Sequence, residues 1–331
     1  MNEIVKLALD VYHGTVPTEF ADKNPEAKLR EALIAANGGS DKIDMKSMRD
    51  NKGKLFAIVE ETIQTVVEEG LKGDEFFMNF VDFRNLAVGD LNEFTIEADS
   101  SFIVSEIANG IATPRRQRIG EKTTVNVPTT IKAVRVYEEM SRVLSGRISW
   151  TDFVDKVSVA VMQKRYNDIF TVWNGMSASS AGLNSTYVPT AGSYSENNLV
   201  TLIDHVEAAT GKTARIVGTR NALRKLNTAV VADAAKDDMY NSGFYGKFNG
   251  TDMIRVRNRH KVGTTTFIMP DDKVFVVASD DQPIKFVDEG TALILDKDPT
   301  ANADLSQEYT YVEKTGCGLV VNGKIGVYSM T

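Results

Sequence analysis

The N-terminal region, residues 1–75, is polar overall but carries apolar residues at helical spacing. Helices are predicted over residues 2–13, 26–36 and 54–71. Pro17 and Pro25 are expected to break the chain between the first two helices, and Asn37-Gly38-Gly39 is a strong signal for the end of the second. The third helix has the clearest apolar periodicity of the three.

The spacing of the apolar residues changes from helical to alternating after residue 75. Residues 76–83 and 93–97 are rich in aromatic and β-branched side chains, and a turn sequence at residues 88–92 separates them. Two β-strands are therefore predicted here.

Residues 110–137 are β-prone in their second half but carry Thr, Val, Asn, Lys and Arg rather than a large apolar set. The segment is predicted to form a β-hairpin that reaches about 30 Å at the usual rise per residue. An isolated hairpin is at best marginally stable in water. Such an arm needs a partner to hold it, and another subunit is a candidate for that partner.

A long amphipathic helix of about 38 Å is predicted over residues 149–174. Ser149, with Asp152 three residues later, resembles a capping pair at its start. Its apolar stripe comprises Trp150, Phe153, Val154, Val157, Ala160, Val161, Tyr166, Ile169, Phe170 and Trp173. The residues expected to lie largely off the stripe are Lys156, Lys164, Arg165, Asn167 and Asp168.

The C-terminal half alternates short helices and strands, after a linker candidate at residues 177–198 that is rich in small and polar residues. Helices are predicted over residues 199–209 and 220–226, on either side of a strand at 213–218. Further strands are predicted at 252–257, 265–269, 273–278, 284–287, 292–295 and 309–314. Asn322-Gly323 is the preferred pair for a tight type I′ turn, so residues 319–327 are predicted to form a hairpin. The fold class is α+β.

Composition narrows the class of protein. The chain has 331 residues, of which 42% are hydrophobic and 25% charged, which is typical of a globular protein of about two domains. No run approaches the roughly 18 apolar residues of a membrane helix, and the acidic residues in the first apolar run do not fit a signal peptide. Synthesis in a cytoplasm is therefore expected. The net charge of −7 disfavours a protein whose main function is to bind duplex DNA through a broad basic surface.

Two short motifs imitate nucleotide-binding or catalytic sequences but lack an essential residue. Gly211-Lys212-Thr213 resembles the end of a phosphate-binding loop, yet Val206 stands where the first glycine is required. Residues 175–179 resemble the turn that carries a catalytic serine but lack its second glycine. Both segments are predicted to be helix ends.

Metal-ligating and nucleophilic residues are sparse and separated. His13, His205 and His260 match no zinc pattern, and Cys317 is the only cysteine, so it is predicted to be a packed and inert thiol. The acidic pairs at 271–272 and 280–281 flank a strand and are interpreted as turn residues. The sequence therefore predicts no catalytic, cofactor-binding or metal site, and a structural protein rather than an enzyme.

The order of these parts resembles the major capsid protein of tailed bacteriophages, the Hong Kong 97-type fold. That order is a helical N-terminal arm, a β-segment, a long basic loop, a long helix, a compact αβα unit and C-terminal strands that could pair with those before the loop. The resemblance covers about residues 75–331. It implies an N-terminal arm (1–74), a peripheral domain (75–109 and 283–331), an extended loop with its return (110–148), a spine helix (149–176) and a linker with an axial domain (177–282).

The resemblance also implies function and partners. The chain would assemble with itself into hexamers and pentamers of an icosahedral head, with portal and scaffolding or decoration proteins as partners, enclosing double-stranded DNA without reading its sequence. Arg115, Arg116 and Arg118 would pair with carboxylates of a neighbouring subunit, although a solvated turn and nucleic-acid binding are alternatives for these arginines. Lys122 lies in the same loop as a further contact candidate, and some family members crosslink a loop lysine, for which Lys122 and Lys132 are in the right element.

Two other functions fit the same sequence. An encapsulin-like compartment shares the fold and differs in its gene neighbours and its cargo. A two-domain enzyme or ligand-binding protein, hinged near residues 177–198, is the other alternative. A deep pocket in the structure, or a mass shift from a bound ligand in native mass spectrometry, would identify it.

Overall fold

The computed structural model describes residues 2–15, 25–39, 45–96, 116–118, 120–137, 147, 149–176, 183–189, 192–226, 243–296, 308–321 and 324–330. Its helices are α1 (Asn2–His13), α2 (Pro25–Ala36), α3 (Met45–Lys72), α4 (Glu75–Phe80), α5 (Trp150–Gly175), α6 (Glu196–Thr210) and α7 (Arg220–Lys225). Its strands are β1 (Val81–Leu86), β2 (Glu93–Ile96), β3 (Thr123–Asn126), β4 (Thr130–Tyr137), β5 (Ala214–Thr219), β6 (Lys247–Phe248), β7 (Thr251–Val256), β8 (Lys273–Ala278), β9 (Ile284–Glu289), β10 (Leu293–Asp296), β11 (Glu308–Leu319) and β12 (Gly326–Ser329). The α+β class is confirmed.

The strands form two five-stranded sheets and one two-stranded ribbon. The first sheet has the order β1-β9-β11-β10, and β4 also pairs with β11. The second sheet has the order β12-β8-β5-β7-β6, and β2 pairs with β3 in the ribbon. The pairing of β1 with β9 is parallel and that of β4 with β11 is antiparallel. C-terminal strand β9 therefore pairs with β1, which lies before the loop, as predicted, and β11 also pairs with β4, which follows the loop.

One hydrophobic core joins helix α5 to both sheets. Trp173 is fully buried, and its ring contacts those of Phe76 in α4 at 5.0 Å and of Phe275 in β8 at 5.3 Å between centroids. The N-terminal helices α1, α2 and α3 contribute to this same core through residues such as Val5, Leu29 and Ile63. The N-terminal region is thus packed onto the body of the subunit in the described residues.

Residues 76–80 form a helix where a strand was predicted. The Asp74 carboxylate accepts a hydrogen bond from the Phe76 amide at 3.0 Å and so caps α4. Phe76, Phe77 and Phe80 are then buried together on one side of a single helical turn, and the strand β1 begins only at Val81. Over so short a segment, closely spaced aromatic residues fit both the helical and the alternating strand spacing. The Asp74 cap favours the helix.

The predicted hairpin over residues 319–327 is wrong, because its two strands belong to different sheets. β11 pairs with β9 in the first sheet, whereas β12 pairs with β8 in the second. Asn322-Gly323 itself lies outside the described residues. A tight turn with this dipeptide occurs instead between β6 and β7, where Asn249 and Gly250 both have positive φ, 45° and 87°.

Residues 265–269 do not form the predicted strand. The Asn258 side chain donates to the Met269 carbonyl at 2.8 Å and accepts from the Met269 amide at 3.1 Å. A side-chain amide therefore takes the place of a neighbouring strand, and a single bridge between His260 and Phe267 is the β-pairing left in this segment.

The long helix is confirmed, but two details of its prediction are wrong. Ser149 does not cap the helix through its side chain; its hydroxyl donates to Glu26 Oε1 at 2.5 Å. Arg165, which was placed off the apolar stripe, is 2% exposed. An arginine in a largely apolar environment requires partners, and the first sheet supplies them.

Arg165 forms a buried ion-pair cluster with one residue from each of two strands. Its Nη2 atom lies 2.8 Å from Asp288 Oδ2 on β9 and 2.7 Å from Glu313 Oε2 on β11. Burial raises the pKa of Asp288, and the nearby Glu313 raises it further, while Arg165 opposes the shift. The two carboxylates together carry one more charge than the guanidinium neutralises, so the charge of Arg165 is essential to both.

A second tight contact lies where residues 127–129 approach β11. A Cβ atom added at Gly316 would lie 2.7 Å from the Pro128 carbonyl oxygen, and one added at Gly318 would lie 2.8 Å from Val127 Cγ2. No real Cβ contact is that short, so β11 requires glycine at both positions. The atom opposite Gly316 belongs to the backbone and can move less readily than the Val127 side chain, so a substitution at Gly316 is tolerated less well than one at Gly318.

We expect Arg165→Leu to destabilise the subunit by about 3–5 kcal/mol, because it leaves Asp288 and Glu313 buried without a counter-charge. Chemical denaturation of unassembled subunits measures the change. The matched control is Lys164→Leu, one residue away, whose half-exposed pair with Asp168 is worth less than about 1 kcal/mol. Equal effects of the two substitutions would contradict the role given to Arg165.

We expect Gly316→Ala to lower the free energy of unfolding by about 1–3 kcal/mol, because the added methyl group displaces residues 127–129 from β11. Thermal or chemical denaturation measures it. Gly53→Ala is the control, since nothing lies within 4 Å of its added Cβ and alanine favours helix α3. A Gly316→Ala variant as stable as the natural protein would show that this approach is not tight.

Candidate assembly interface

The loop after β1 begins and ends in the β2–β3 ribbon. Glu93 pairs with Asn126 and Ile96 with Thr123, so residues 97–122 lie between the two strands. β4, which follows at once, lies in the first sheet. The prediction that residues 110–137 pair with each other in one free hairpin is therefore wrong: residues 123–126 pair with β2, and residues 130–137 are held by the subunit's own β11.

The base of the ribbon is fixed to the first sheet. Phe94 is 2% exposed and packs with Val127, Val287 and Val320. The Arg84 guanidinium stacks on the Phe94 ring at 4.0 Å from its centroid, which adds a cation–π contact. The side chains beyond this anchor, such as those of Thr95 and Thr124, are exposed. The ribbon is therefore anchored to the first sheet at its base, and its polar side chains beyond the anchor are uncovered.

The charged residues predicted to contact a neighbour are exposed wherever the structure describes them. Arg116, Arg118 and Lys122 are exposed, and Arg115 lies outside the described residues. Arg118 lies 3.3 Å from Glu121 of its own chain, with the two side chains 87% and 84% exposed. A pair so exposed contributes little to stability, so its groups can exchange partners at low cost. Their contact with another subunit stays a prediction.

Lys132 has a different environment from Lys122. It forms an ion pair with Asp168 on α5 and is 14% exposed. Lys164 also contacts Asp168, at 2.6 Å. The Lys132 amine therefore links β4 to α5 through this ion pair, which disfavours its use in a crosslink.

The side of the first sheet that faces away from the core carries an exposed apolar strip that the sequence analysis did not single out. Leu293 and Leu295 on β10 are 53% and 50% exposed, and Ile131 on β4 is 72% exposed. Val312 on β11 lies between them, directly opposite Leu293 on one side and Ala133 on the other. We name this surface, comprising Ile131, Ala133, Leu293, Leu295 and Val312, the apolar strip. Successive side chains of a strand point to opposite faces, so Val312 lies on the face opposite to the buried Tyr311. This alternation is the signal from which the sequence could have predicted the apolar strip.

The histidines and the cysteine do not form a site in the structure. His13 lies 2.9 Å from Glu69, His205 is exposed, and His260 stacks on Phe267. Burial raises the pKa of the Cys317 thiol to about 12, so it stays protonated and unreactive near neutral pH. Among the residues with described positions, no three His, Cys, Asp or Glu side chains are placed to hold a metal ion. Of the described helices, none is long and apolar enough to cross a membrane.

Comparisons with known proteins point to viral shells. A family model described as "SPbeta prophage-derived putative capsid protein YonB" matches residues 3–329. No curated protein matches the chain. The mature capsid of bacteriophage PhiM1 is similar over 78% of this chain and 87% of its own, with a TM-score of 0.52 at 10% identity, which shows a shared fold.

Two further solved structures are similar at lower TM-scores. The virus-like particle from Pyrococcus furiosus matches over 83% of this chain and 99% of its own, with a TM-score of 0.47 and 13% identity. The capsid of cyanophage P-SCSP1u matches over 77% and 88%, with a TM-score of 0.46 and 13% identity.

The family model spans almost every residue of the chain, and the PhiM1 capsid shares its fold. The chain therefore belongs to the family of SPbeta prophage-derived capsid proteins and has the Hong Kong 97-type fold of tailed-phage major capsid proteins.

Proposed function

We propose that copies of this chain form hexamers and pentamers, and that these build an icosahedral head around double-stranded DNA. The observation that carries the proposal is the capsid family model, which extends over residues 3–329. The role is structural rather than enzymatic. The protein would be made in the host cytoplasm and reside in the virion, with portal and scaffolding or decoration proteins as partners.

The parts of the subunit receive roles in this proposal. The first sheet belongs to the peripheral domain (75–109 and 283–331), the second to the axial domain (177–282), and α5 is the spine helix (149–176). Three features depart from these bounds: the extended loop (110–148) is rooted in the β2–β3 ribbon, its strand β4 lies in the first sheet, and β12 joins the second sheet. Helices α1 to α3 of the N-terminal arm (1–74) brace the spine helix, for example through the hydrogen bond from the Tyr12 hydroxyl to Asp155 at 3.3 Å.

The contacts between subunits are proposed to use two surfaces of different chemistry. The apolar strip of one subunit is covered by a second copy, because exposed contiguous apolar surface is typical of protein interfaces. The arginines at 115, 116 and 118, with Lys122, reach carboxylates of a neighbour. Two unlike surfaces on one molecule support heterologous contacts, which close into rings.

Electron microscopy of the purified full chain, expressed alone and with neighbouring phage genes, tests the proposal. Hollow particles or rings of five and six subunits are expected. A chain that stays monomeric under every assembly condition contradicts it.

We expect Leu293→Asn combined with Leu295→Asn to lower the yield of particles at least tenfold while the subunit stays folded, because the exposed leucines are buried only on assembly. Negative-stain particle counts and circular dichroism measure the two effects. Val262→Asn, which changes a residue of similar exposure beside the second sheet, is the control. Normal assembly of the double variant would exclude the apolar strip from the interface.

We expect charge reversal of the loop arginines, Arg115→Glu with Arg116→Glu and Arg118→Glu, to weaken assembly without unfolding the subunit. The control reverses three exposed lysines elsewhere, Lys6, Lys54 and Lys156, so that the net charge changes equally. The salt concentration at which particles dissociate measures the difference. Indistinguishable results for the two variants would remove these arginines from the contact.

A further inference from the structure

The end of β7 in the second sheet and the loop that follows it carry a run of basic residues that the assembly surfaces do not use. Every second position from 255 to 261 is basic: Arg255, Arg257, Arg259 and Lys261. Residues 253–270 contain no acidic residue. The chain as a whole has 45 acidic against 38 basic residues. This run is therefore opposite in sign to the molecule that contains it.

The parallel pairing of β5 with β7 brings three arginines to one place. Gly218 pairs with Arg255 and Thr219 with Val256. Because both strands end at these positions, Arg220 at the start of α7 and Arg257 follow neighbouring strand ends. We name Arg220, Arg255 and Arg257 the arginine cluster. It lies at the carboxyl ends of adjacent parallel strands, where ligands of open sheets commonly bind.

The three guanidinium groups have no counter-charge in the described part of the chain. No carboxylate there lies within ion-pair distance of any of the three. Asp271, in the loop before β8, accepts hydrogen bonds from the Thr219 hydroxyl at 2.6 Å and the Asn221 amide at 3.0 Å, so its oxygens already have partners. Burial lowers the pKa of Arg255, and the positive charges of Arg220 and Arg257 lower it further. The cluster is thus held together against its own repulsion.

Arg259, in the same basic run, differs from the residues of the arginine cluster. Arg259 stacks on the Tyr166 ring at 3.8 Å from its centroid and so has a packing role. Arg220 and Arg257 are exposed, and Arg255 is half-buried. A group of three adjacent arginines with no ion-pair partner among the described carboxylates favours an anionic ligand.

We propose that Arg220, Arg255 and Arg257 bind backbone phosphates of the nucleic acid enclosed by the shell. The inference rests on the proposed function and adds a contact to it. Guanidinium forks match phosphate oxygens in bidentate geometry, and three adjacent forks suit a ligand with closely spaced charges. Binding of this kind is independent of base sequence and local, which fits a subunit of net negative charge.

The test compares unassembled natural subunits with a variant carrying Arg220→Gln, Arg255→Gln and Arg257→Gln. Binding of a fluorescein-labelled DNA duplex is measured by anisotropy over a range of salt concentrations. Each lost phosphate contact reduces the slope of log K against log salt by about 0.9, so a loss of roughly 2–3 is expected. The control variant, Lys6→Gln with Lys54→Gln and Lys156→Gln, removes the same charge elsewhere and should keep the natural slope.

Assembly distinguishes phosphate from a carboxylate partner on a second copy. Particles of the triple arginine variant should form normally and contain less nucleic acid per subunit, measured by the ratio of absorbance at 260 and 280 nm. Unchanged duplex binding overturns the inference. If particles then also fail to form, the arginine cluster contacts carboxylates of a second copy instead. Failure of the natural chain to assemble is a separate result, which counts against the proposed function.

A single substitution guards against loss of the fold. Arg257→Gln changes an exposed side chain and relieves repulsion, so its thermal midpoint should not fall. Its salt slope should drop by about 0.9. A folded Arg257→Gln variant with the natural slope excludes Arg257 from phosphate binding.

Discussion

The position of both sheets depends on how helix α5 is held between them. Arg165 fixes the helix to β9 and β11 of the first sheet through two buried carboxylates. Trp173, two turns further along, fixes it to β8 of the second sheet through Phe275. One attachment is electrostatic and directional and the other is apolar and shape-dependent, so the helix is constrained in rotation as well as in depth. The ribbon, the apolar strip and the arginine cluster all take their positions from this arrangement.

Much of the fold follows from local pattern alone. The spacing of apolar residues predicted α1, α2, α5 and α6 to within a few residues, and the run 273–278 predicted β8 with its observed bounds. These elements bury one continuous face or a whole strand, so their periodicity survives any tertiary arrangement. The order of the parts then indicated the capsid fold, which the family model confirms over nearly the full chain.

Several of the errors share one physical cause, which is that interaction partners lie far apart in the sequence. The Asn-Gly signal at 322–323 predicted a turn between β11 and β12, yet those strands join different sheets; the same signal at Asn249-Gly250 marks a real hairpin. Arg165 was assigned to solvent because its two acidic partners are more than 120 residues away. The arginine cluster was missed for a related reason: Arg220 and Arg257 meet only when β5 and β7 align in parallel.

The pairing of β1 with β9 has a consequence for how the subunit forms. Val81 pairs with Ile284, so most of the polypeptide must be synthesised before the first sheet can close. Bringing together segments this distant is entropically costly and slow compared with forming the local α6–β5–α7 unit. The α6–β5–α7 unit would therefore form while β1 and β9 still present unpaired edges. Unpaired strand edges are templates for pairing with another chain, so a newly made subunit is more exposed to misassociation before β1 and β9 pair than afterwards.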